Sequence, residues 1–244
     1  MCGRYELHSH PAAIALAFGL PQAPEIAPRY NIAPLSEVPV VRVNAQGERE
    51  LVMLRWGLVP RVAKNPSIGA KMINARAETV AERQAFRIPY RRHRCLLPAD
   101  GFYEWRTVAT AQEVRKQPLH VAMHDCALFG LAGLYERWLG HDGQVLDTCT
   151  ILTTSANALL RPIGDRMPVI IATGDYARWL DPHEQDVDDL IGPFPAERMA
   201  VHAVSMRVNA TRHDDAELIE PIETVDDIEE TSPTEPVPEQ ESLF

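Results

Sequence analysis

Long apolar runs and export signals are absent from this sequence of 244 residues. No apolar stretch approaches the roughly 18 residues that a membrane-spanning helix needs. The first residues also lack the basic segment followed by an apolar segment that directs secretion. We therefore expect neither membrane insertion nor export, and we predict a cytoplasmic location.

Cysteine is scarce, and the four cysteines are scattered without a C-x-x-C pair. This usage fits a reducing compartment and argues against a structural zinc site. Cys95, Cys126 and Cys149 lie in apolar, strand-like stretches. We predict that these three cysteines are buried structural thiols.

Metal-binding and nucleotide-binding motifs are missing as well. His8 and His10 flank a serine, and His120 and His124 would lie about 13 Å apart along a predicted strand. Neither glycine-rich phosphate-binding pattern occurs in the sequence. We therefore predict no metal site and no nucleotide cofactor.

Positive charge is in deficit overall, because the formal net charge is −10. Residues 1–180 carry 21 Lys and Arg against 16 Asp and Glu, whereas residues 181–244 carry 3 against 18. A basic body fits a phosphate-binding groove, although many enzymes with anionic substrates have a similar balance. Residues 222–244 are acidic and proline-rich, and we expect a disordered, solvated tail rather than a DNA mimic or a partner-recruiting segment.

Short strand patterns outnumber short helix patterns, and no regular βαβ alternation is present. Strands are predicted at 38–43, 50–56, 95–98, 102–106, 118–123, 127–135, 147–154, 168–171 and 200–204. Helices are predicted at 11–18, 79–86, 156–160, 174–179 and 185–190. We predict one α+β domain over residues 2–221, built around a mostly antiparallel, barrel-like β-sheet with short peripheral helices.

Cys2 follows the initiator methionine, so removal of Met1 would leave a first residue with both an α-amine and a thiol. The amine condenses with an aldehyde to an imine, and the thiol then closes a thiazolidine ring on the same carbon. An α-amine has a pKa near 8, so a useful fraction is nucleophilic at physiological pH. The alternative is that a cysteine stands second by chance on a frayed terminus.

Seven further motifs follow Cys2 in a fixed order. They are Tyr30-Asn31-Ile32-Ala33-Pro34, Trp56-Gly57-Leu58-Val59-Pro60, Asn74-Ala75-Arg76-Ala77-Glu78-Thr79, the run from Arg94 to Trp105, Ala132-Gly133-Leu134-Tyr135, Thr153-Thr154-Ser155-Ala156-Asn157 and Asp165-Arg166-Met167-Pro168-Val169-Ile170. This order resembles the SOS-response-associated peptidase (SRAP) family of the HMCES and YedK type. The resemblance implies a sensor of abasic sites in single-stranded DNA that crosslinks itself to the open-chain sugar aldehyde through Cys2. We expect a monomer, associated with the nucleoid if the protein is bacterial.

Glu104 is the candidate base for this reaction. Aromatic neighbours would desolvate its carboxylate and raise the pKa towards the working range. A salt-bridge role on a strand is the alternative by pattern alone, and the resemblance implies the catalytic role. The resemblance also implies that Asn74 acts in the active site, where its amide would hold the sugar or orient the N-terminus; a turn or capping role fits the pattern equally well.

Four side chains are candidate DNA ligands. Arg4, Arg76 and Arg166 would pair with phosphates, and Phe86 would stack on a base. Arg4 is equally consistent with an unpartnered surface arginine, and Arg166 and Phe86 with scaffold or core. Trp56 and Trp105 are predicted to belong to the core.

Two departures from the family pattern stand out. The family usually has a histidine two residues before Arg166, where this chain has Gly164. We expect that crosslink reversal, strand cleavage or sugar ring opening is slow, or that water or the neighbouring Asp165 replaces the histidine. Relatives often carry a tryptophan after Pro60, where this chain reads Arg61-Val62-Ala63-Lys64. We expect weaker, more salt-sensitive DNA binding as a result. Two other functions remain open: an N-terminal-nucleophile peptidase or amidohydrolase, and a non-catalytic single-strand binder.

Overall fold

The computed structural model describes residues 2–109 and 114–223. This part of the chain forms one α+β domain with thirteen strands and three short α-helices. The strands are β1 Tyr5–Leu7, β2 Arg29–Ile32, β3 Glu37–Val43, β4 Arg49–Trp56, β5 Asn74–Arg76, β6 Arg94–Ala99, β7 Gly101–Ala109, β8 Val114–Met123, β9 Phe129–Leu139, β10 Val145–Ser155, β11 Arg166–Pro168, β12 Ile170–Ile171 and β13 Met199–Ala203. The helices are α1 Pro11–Phe18, α2 Arg87–Arg92 and α3 Tyr176–Leu180.

Five strands close into a barrel in the order β10-β4-β3-β6-β9, and β9 pairs back with β10. All neighbours in this ring are antiparallel except β10 and β4. The strands approach closely at Gly133 on β9, where an added Cβ would lie 2.5 Å from Leu97 Cδ1. The predicted barrel-like, mostly antiparallel sheet is confirmed.

A second, five-stranded antiparallel sheet has the order β13-β8-β7-β1-β2. Strand β1 pairs with β7 through Tyr5 opposite Phe102 and Glu6 opposite Gly101. This pairing ties the N-terminal segment to the strand that carries Glu104. This pairing therefore places Cys2, three residues before β1, near β7.

The strands predicted at 38–43 and 50–56 are confirmed as β3 and β4, and they form a hairpin whose turn contains Gly47 with a φ of 83°. The helix predicted at 79–86 is wrong: a 3₁₀ turn covers 77–79, and the α-helix begins at Arg87. Pro89 then lies in the first turn of α2, where a missing amide proton costs no helical hydrogen bond. The helix predicted at 156–160 is also wrong, because only turns occur there and the Asn157 side chain accepts a hydrogen bond from the Leu160 amide. Residues 185–190 contain only a 3₁₀ turn at 188–190.

Two burial predictions need correction. Cys126 is exposed and has a φ of 53°, because it lies in the tight turn after β8 rather than in a strand. Trp105 is only partly buried, in contrast to the fully buried Trp56. Cys95 and Cys149 are buried as predicted.

Met1 and most of the predicted tail, from residue 224 onward, lie outside the described residues. Among the described helices, none combines the length and apolar character needed to cross a membrane.

Candidate active site

Cys2 is fully buried, next to the strand that carries Glu104. The pairing of β1 with β7 continues one residue further, because the Tyr103 amide donates a hydrogen bond to the Arg4 carbonyl at 3.0 Å. Burial raises the pKa of the Cys2 thiol, the nearby Glu104 carboxylate raises it further, and the Arg4 backbone amide partly offsets both effects. The thiol is therefore neutral at physiological pH and needs a base before it can attack.

Glu104 is only 8% exposed, on β7. Burial raises the pKa of its carboxyl, and the negative charge of Asp165 adds to the rise. A carboxylate whose pKa is moved towards neutrality accepts and returns protons more readily than an ordinary surface glutamate. Glu104 thus combines an electrostatic influence on Cys2 with suitable acid–base character.

A cleft of about 660 Å³ opens beside Glu104. Its other lining residues are Trp105, Lys116, Ile163, Gly164, Met206 and Asn209. A Cβ added at Gly164 would meet no atom within 4 Å, so a larger side chain has room there. The position at which the sequence departs from the family pattern therefore lies in the same cleft as the candidate base.

A second cavity, a groove of about 540 Å³, holds some of the other predicted site residues. Strand β5 runs parallel to β10 and presents Asn74 and Arg76 to this groove, while Ala75 between them is buried. Phe86 also lines it. We call this cavity the basic groove, because its charged lining residues are all cationic: Lys71, Arg76 and Arg83.

Asn74 has an unused hydrogen-bonding group in the basic groove. Its Nδ2 donates to the Ile73 carbonyl at 3.0 Å, but its buried Oδ1 has no hydrogen-bond partner among the described residues. Leaving a buried acceptor unsatisfied costs about 1–3 kcal/mol. Such a group is suited to receive a hydrogen bond from a ligand or from the chain terminus.

Arg4 and Arg166 are both held by hydrogen bonds within the protein. Arg4 Nη1 donates to Asn31 Oδ1 at 2.5 Å and to the Val208 carbonyl at 2.7 Å, and its guanidinium lies 6.0 Å from the Trp105 ring. Arg166 makes a bidentate pair with Glu78 at 2.6 and 2.9 Å. A phosphate at Arg166 would have to compete with this carboxylate, whereas no carboxylate of the described residues forms an ion pair with Arg4.

Trp105, Lys116 and Asn209 are cleft residues that the sequence did not assign to the site. The Trp105 indole donates to Asn209 Oδ1 at 2.7 Å. The available signal was that Trp105 directly follows Glu104 on β7, and it is weak because successive side chains of a strand point to opposite faces. Lys116 and Asn209 come from distant segments and carry no comparable signal.

A buried polar network supports β1 away from the cleft. Glu6, 1% exposed, pairs with His8 Nδ1 at 2.5 Å and with His120 Nε2 at 2.9 Å. Asp100 accepts hydrogen bonds from the backbone amides of His8 and Ser9. Candidate metal-ligand atoms of Glu6, His8 and Asp100 lie within 4.8 Å of one another, a grouping that residue spacing did not indicate. Their oxygens are already engaged in hydrogen bonds, so the geometry is that of a structural network.

Known proteins share both the sequence and the fold. Residues 1–211 match the family described as SOS response associated peptidase (SRAP). The chain is 41% identical over 226 residues to the abasic site processing protein YoaM of Bacillus subtilis, covering 90% of this chain and 98% of that protein. It is 31% identical over 222 residues to the abasic site processing protein HMCES of Xenopus tropicalis, covering 78% and 65% respectively.

Solved structures agree with this match. A crystal structure of a Bacteroides thetaiotaomicron protein has a TM-score of 0.80 and 24% identity, covering 91% of this chain and all of that one. A Bordetella bronchiseptica protein has a TM-score of 0.71 and 28% identity, covering 84% of this chain and all of that one. On its sequence match and its fold, the chain belongs to the SOS response associated peptidase family.

Proposed function

We propose that this protein processes abasic sites in single-stranded DNA by forming a covalent crosslink through Cys2 after removal of Met1. The observation that carries the proposal is that the buried Cys2 lies within electrostatic reach of Glu104, which itself lines a cleft large enough for a sugar. Relatives that are 41% and 31% identical are named abasic site processing proteins, which supports the substrate class.

The chemistry begins with the α-amine of Cys2, which attacks the C1′ aldehyde of the ring-opened sugar. Loss of one water gives an imine between the nitrogen and C1′. The Cys2 sulfur then adds to the same carbon, and its proton passes to the nitrogen, which closes a thiazolidine. Because burial and Glu104 keep the thiol neutral, the amine reacts first and the carboxylate relays the protons of both steps.

The basic groove would hold the strand on either side of the lesion. Lys71 and Arg76 provide charge for phosphates, and Phe86 provides an aromatic face for an unstacked base. The free Oδ1 of Asn74 is available to a sugar hydroxyl or to the α-amine. A single strand is the favoured substrate, because a flexible strand can bring its aldehyde to a recessed N-terminus and a stacked duplex cannot.

Gly164 sets a limit on this activity. Ring opening of the sugar and reversal of the crosslink both need a proton donor on the sugar side, and glycine supplies none. We expect a crosslink that forms and is slow to reverse.

Intact mass spectrometry tests the proposal directly. The protein is incubated with a single-stranded oligonucleotide that contains one abasic site, beside Cys2→Ala and the matched variant Cys126→Ala, which removes an exposed thiol. We expect an adduct equal to protein without Met1 plus DNA minus one water, present in Cys126→Ala and absent in Cys2→Ala. Protein that lacks Met1 and gives no adduct would overturn the crosslinking reaction. Cys2-dependent cleavage of peptides without any DNA adduct would instead identify a peptidase.

A further inference from the structure

Four exposed arginines extend from the basic groove along α2. Arg83, Arg87 and Arg91 follow one another at intervals of four residues, and Arg92 comes next. Residues four apart lie on the same face of a helix. We call these four residues the arginine row.

The backbone that carries the row is continuous and firmly held. The Arg87 amide donates to the Arg83 carbonyl at 2.8 Å, so the helical turn starts before α2 itself. The opposite face is buried through Pro89 and Tyr90, and Tyr90 is anchored by its hydroxyl to Asp188 at 2.6 Å. The arginine side chains therefore point outward from a fixed support.

No arginine of the row forms an ion pair with a carboxylate among residues 2–109 and 114–223. Elsewhere in the described chain, many arginines do form such pairs. These are Arg29, Arg42, Arg137, Arg166, Arg178 and Arg207. Four adjacent cations without a carboxylate partner repel one another, an arrangement that an external polyanion would stabilise.

The row links two cavities. Arg83 lines the basic groove, and Arg91 and Arg92 line a further cleft of about 460 Å³ together with His183. At 1.5 Å of rise per residue, Arg87 and Arg91 are separated by about 6 Å along the axis of α2. With one phosphate per roughly 3.4 Å of a stacked strand, this length spans about two phosphates.

Positive charge also acts on His93, which lies next to the row. Burial lowers the pKa of His93, which follows Arg92, and the charges of Arg61 and Arg92 lower it further. Residues 181–189, which line the same cleft through Pro182, His183 and Gln185, carry five carboxylates. Their charge opposes a polyanion, so the row has a defined far end.

We propose that the arginine row binds the backbone phosphates of the DNA strand where it leaves the basic groove, about two nucleotides beyond it. The proposal rests on the proposed function, since that function places the strand beside the lesion in the basic groove. Contacts of this kind fix the register of the strand and carry no sequence preference. The row thus makes a longer single strand a better ligand than a short one.

Equilibrium binding and crosslinking, each measured against salt concentration, test the row. The ligands are a trinucleotide with a central abasic site and a single strand of about 20 nucleotides with the same site, which is longer than one typical binding site. The variant is Arg87→Ala with Arg91→Ala. The control is Arg198→Ala with Arg212→Ala. It removes the same charge from exposed positions outside the basic groove, the cleft beside Glu104 and the arginine row.

For the long strand, we expect the slope of log affinity against log salt to fall by about 1.4 in the row variant, at roughly 0.7 per phosphate contact. The trinucleotide and the control variant should keep the slope of the unmodified protein. An unchanged slope for the long strand, or an equal fall in the control, would overturn the proposal. The unmodified protein could form no crosslink while the row variant still shows a smaller slope of log affinity against log salt. That result would overturn the proposed crosslinking function and support phosphate binding by the arginine row.

Discussion

The carboxylate of Glu104 raises the pKa of the buried Cys2 thiol, and burial favours the neutral form of both groups. The thiol is therefore neutral in the resting protein, whereas the raised pKa of Glu104 makes its carboxylate a stronger base than that of an ordinary glutamate. In the proposed mechanism, a proton transfer to this carboxylate, directly or through the α-amine, starts the reaction. Four predictions follow from this arrangement and its surroundings.

Glu104→Gln should slow crosslinking by about 10²- to 10⁴-fold, the usual contribution of a positioned acid–base group. Because burial raises the pKa of Glu104, its charged form costs stability at neutral pH, and the variant should unfold at an equal or higher temperature. Crosslinking rates and thermal unfolding curves measure both effects.

The control for this variant is Glu136→Gln. Glu136 is also buried with a raised pKa, but it lies outside the cleft that contains Glu104. The Glu136→Gln variant should be stabilised in the same way as Glu104→Gln, and it should crosslink at the rate of the unmodified protein. In the unmodified protein, that rate should fall as the pH drops through the raised pKa of Glu104, and Glu104→Gln should lose this acid limb. Equal rates in Glu104→Gln and the unmodified protein would remove Glu104 from the mechanism.

Gly164→His should accelerate crosslink reversal by about tenfold or more, because a histidine in the cleft supplies the proton donor that glycine lacks. The position has room for the side chain and an ordinary φ, so the fold should be unaffected. The measure of reversal is the rate at which the protein transfers from its first oligonucleotide to a competing abasic oligonucleotide. Gly174→His, at an equally open position outside the cleft, is the control and should not change reversal.

Asn74→Ala should weaken crosslinking while leaving stability unchanged or slightly higher. The substitution removes an amide whose buried Oδ1 has no partner among the described residues, so little favourable energy is lost on folding. Asn65→Ala makes a useful comparison, because Asn65 caps a 3₁₀ turn by accepting from the Ser67 amide and its loss should lower stability. A clear destabilisation of Asn74→Ala with normal crosslinking would assign Asn74 a structural role.

His8→Gln should lower the unfolding temperature most between about pH 5 and 6.5. The hydrogen bond to Glu6 raises the pKa of His8, so this stabilisation is present below the ordinary histidine pKa of 6.5 and is lost as the pH rises. Burial opposes ionisation of Glu6, but hydrogen bonds from His120 and His8 lower its pKa, so its contribution is lost as the pH falls below about 4.5. Thermal unfolding across pH measures the difference, which should shrink at pH 9.

The control for His8→Gln is the exposed His141→Gln, whose unfolding temperature should follow that of the unmodified protein at every pH. A difference between His8→Gln and the unmodified protein that stays constant from pH 5 to 9 would show that His8 stabilises the fold without its charge.

Part of the fold could be predicted because its signals are local. The β3–β4 hairpin has alternating strands and a glycine in its turn, and α1 begins with a proline in its first turn and ends at Gly19 in the left-handed conformation. Strands β1 and β2 went unpredicted, because three- and four-residue strands are too short to show a periodic pattern. Cys126 was misassigned because burial depends on where a turn falls, and its apolar neighbours do not show that turn.

By itself the sequence determined the family, the barrel-like α+β class and the identity of Cys2, Glu104 and Asn74 as candidate site residues, because these follow from motifs in order along the chain. Only the tertiary structure decided that Cys2 is buried within electrostatic reach of Glu104, that Gly164 and Glu104 line one cleft, and that Arg166 is paired with Glu78. Charge balance along the chain likewise did not reveal the arginine row. Pairing and burial depend on distances between segments far apart in sequence, and only the packed sheets fix those distances.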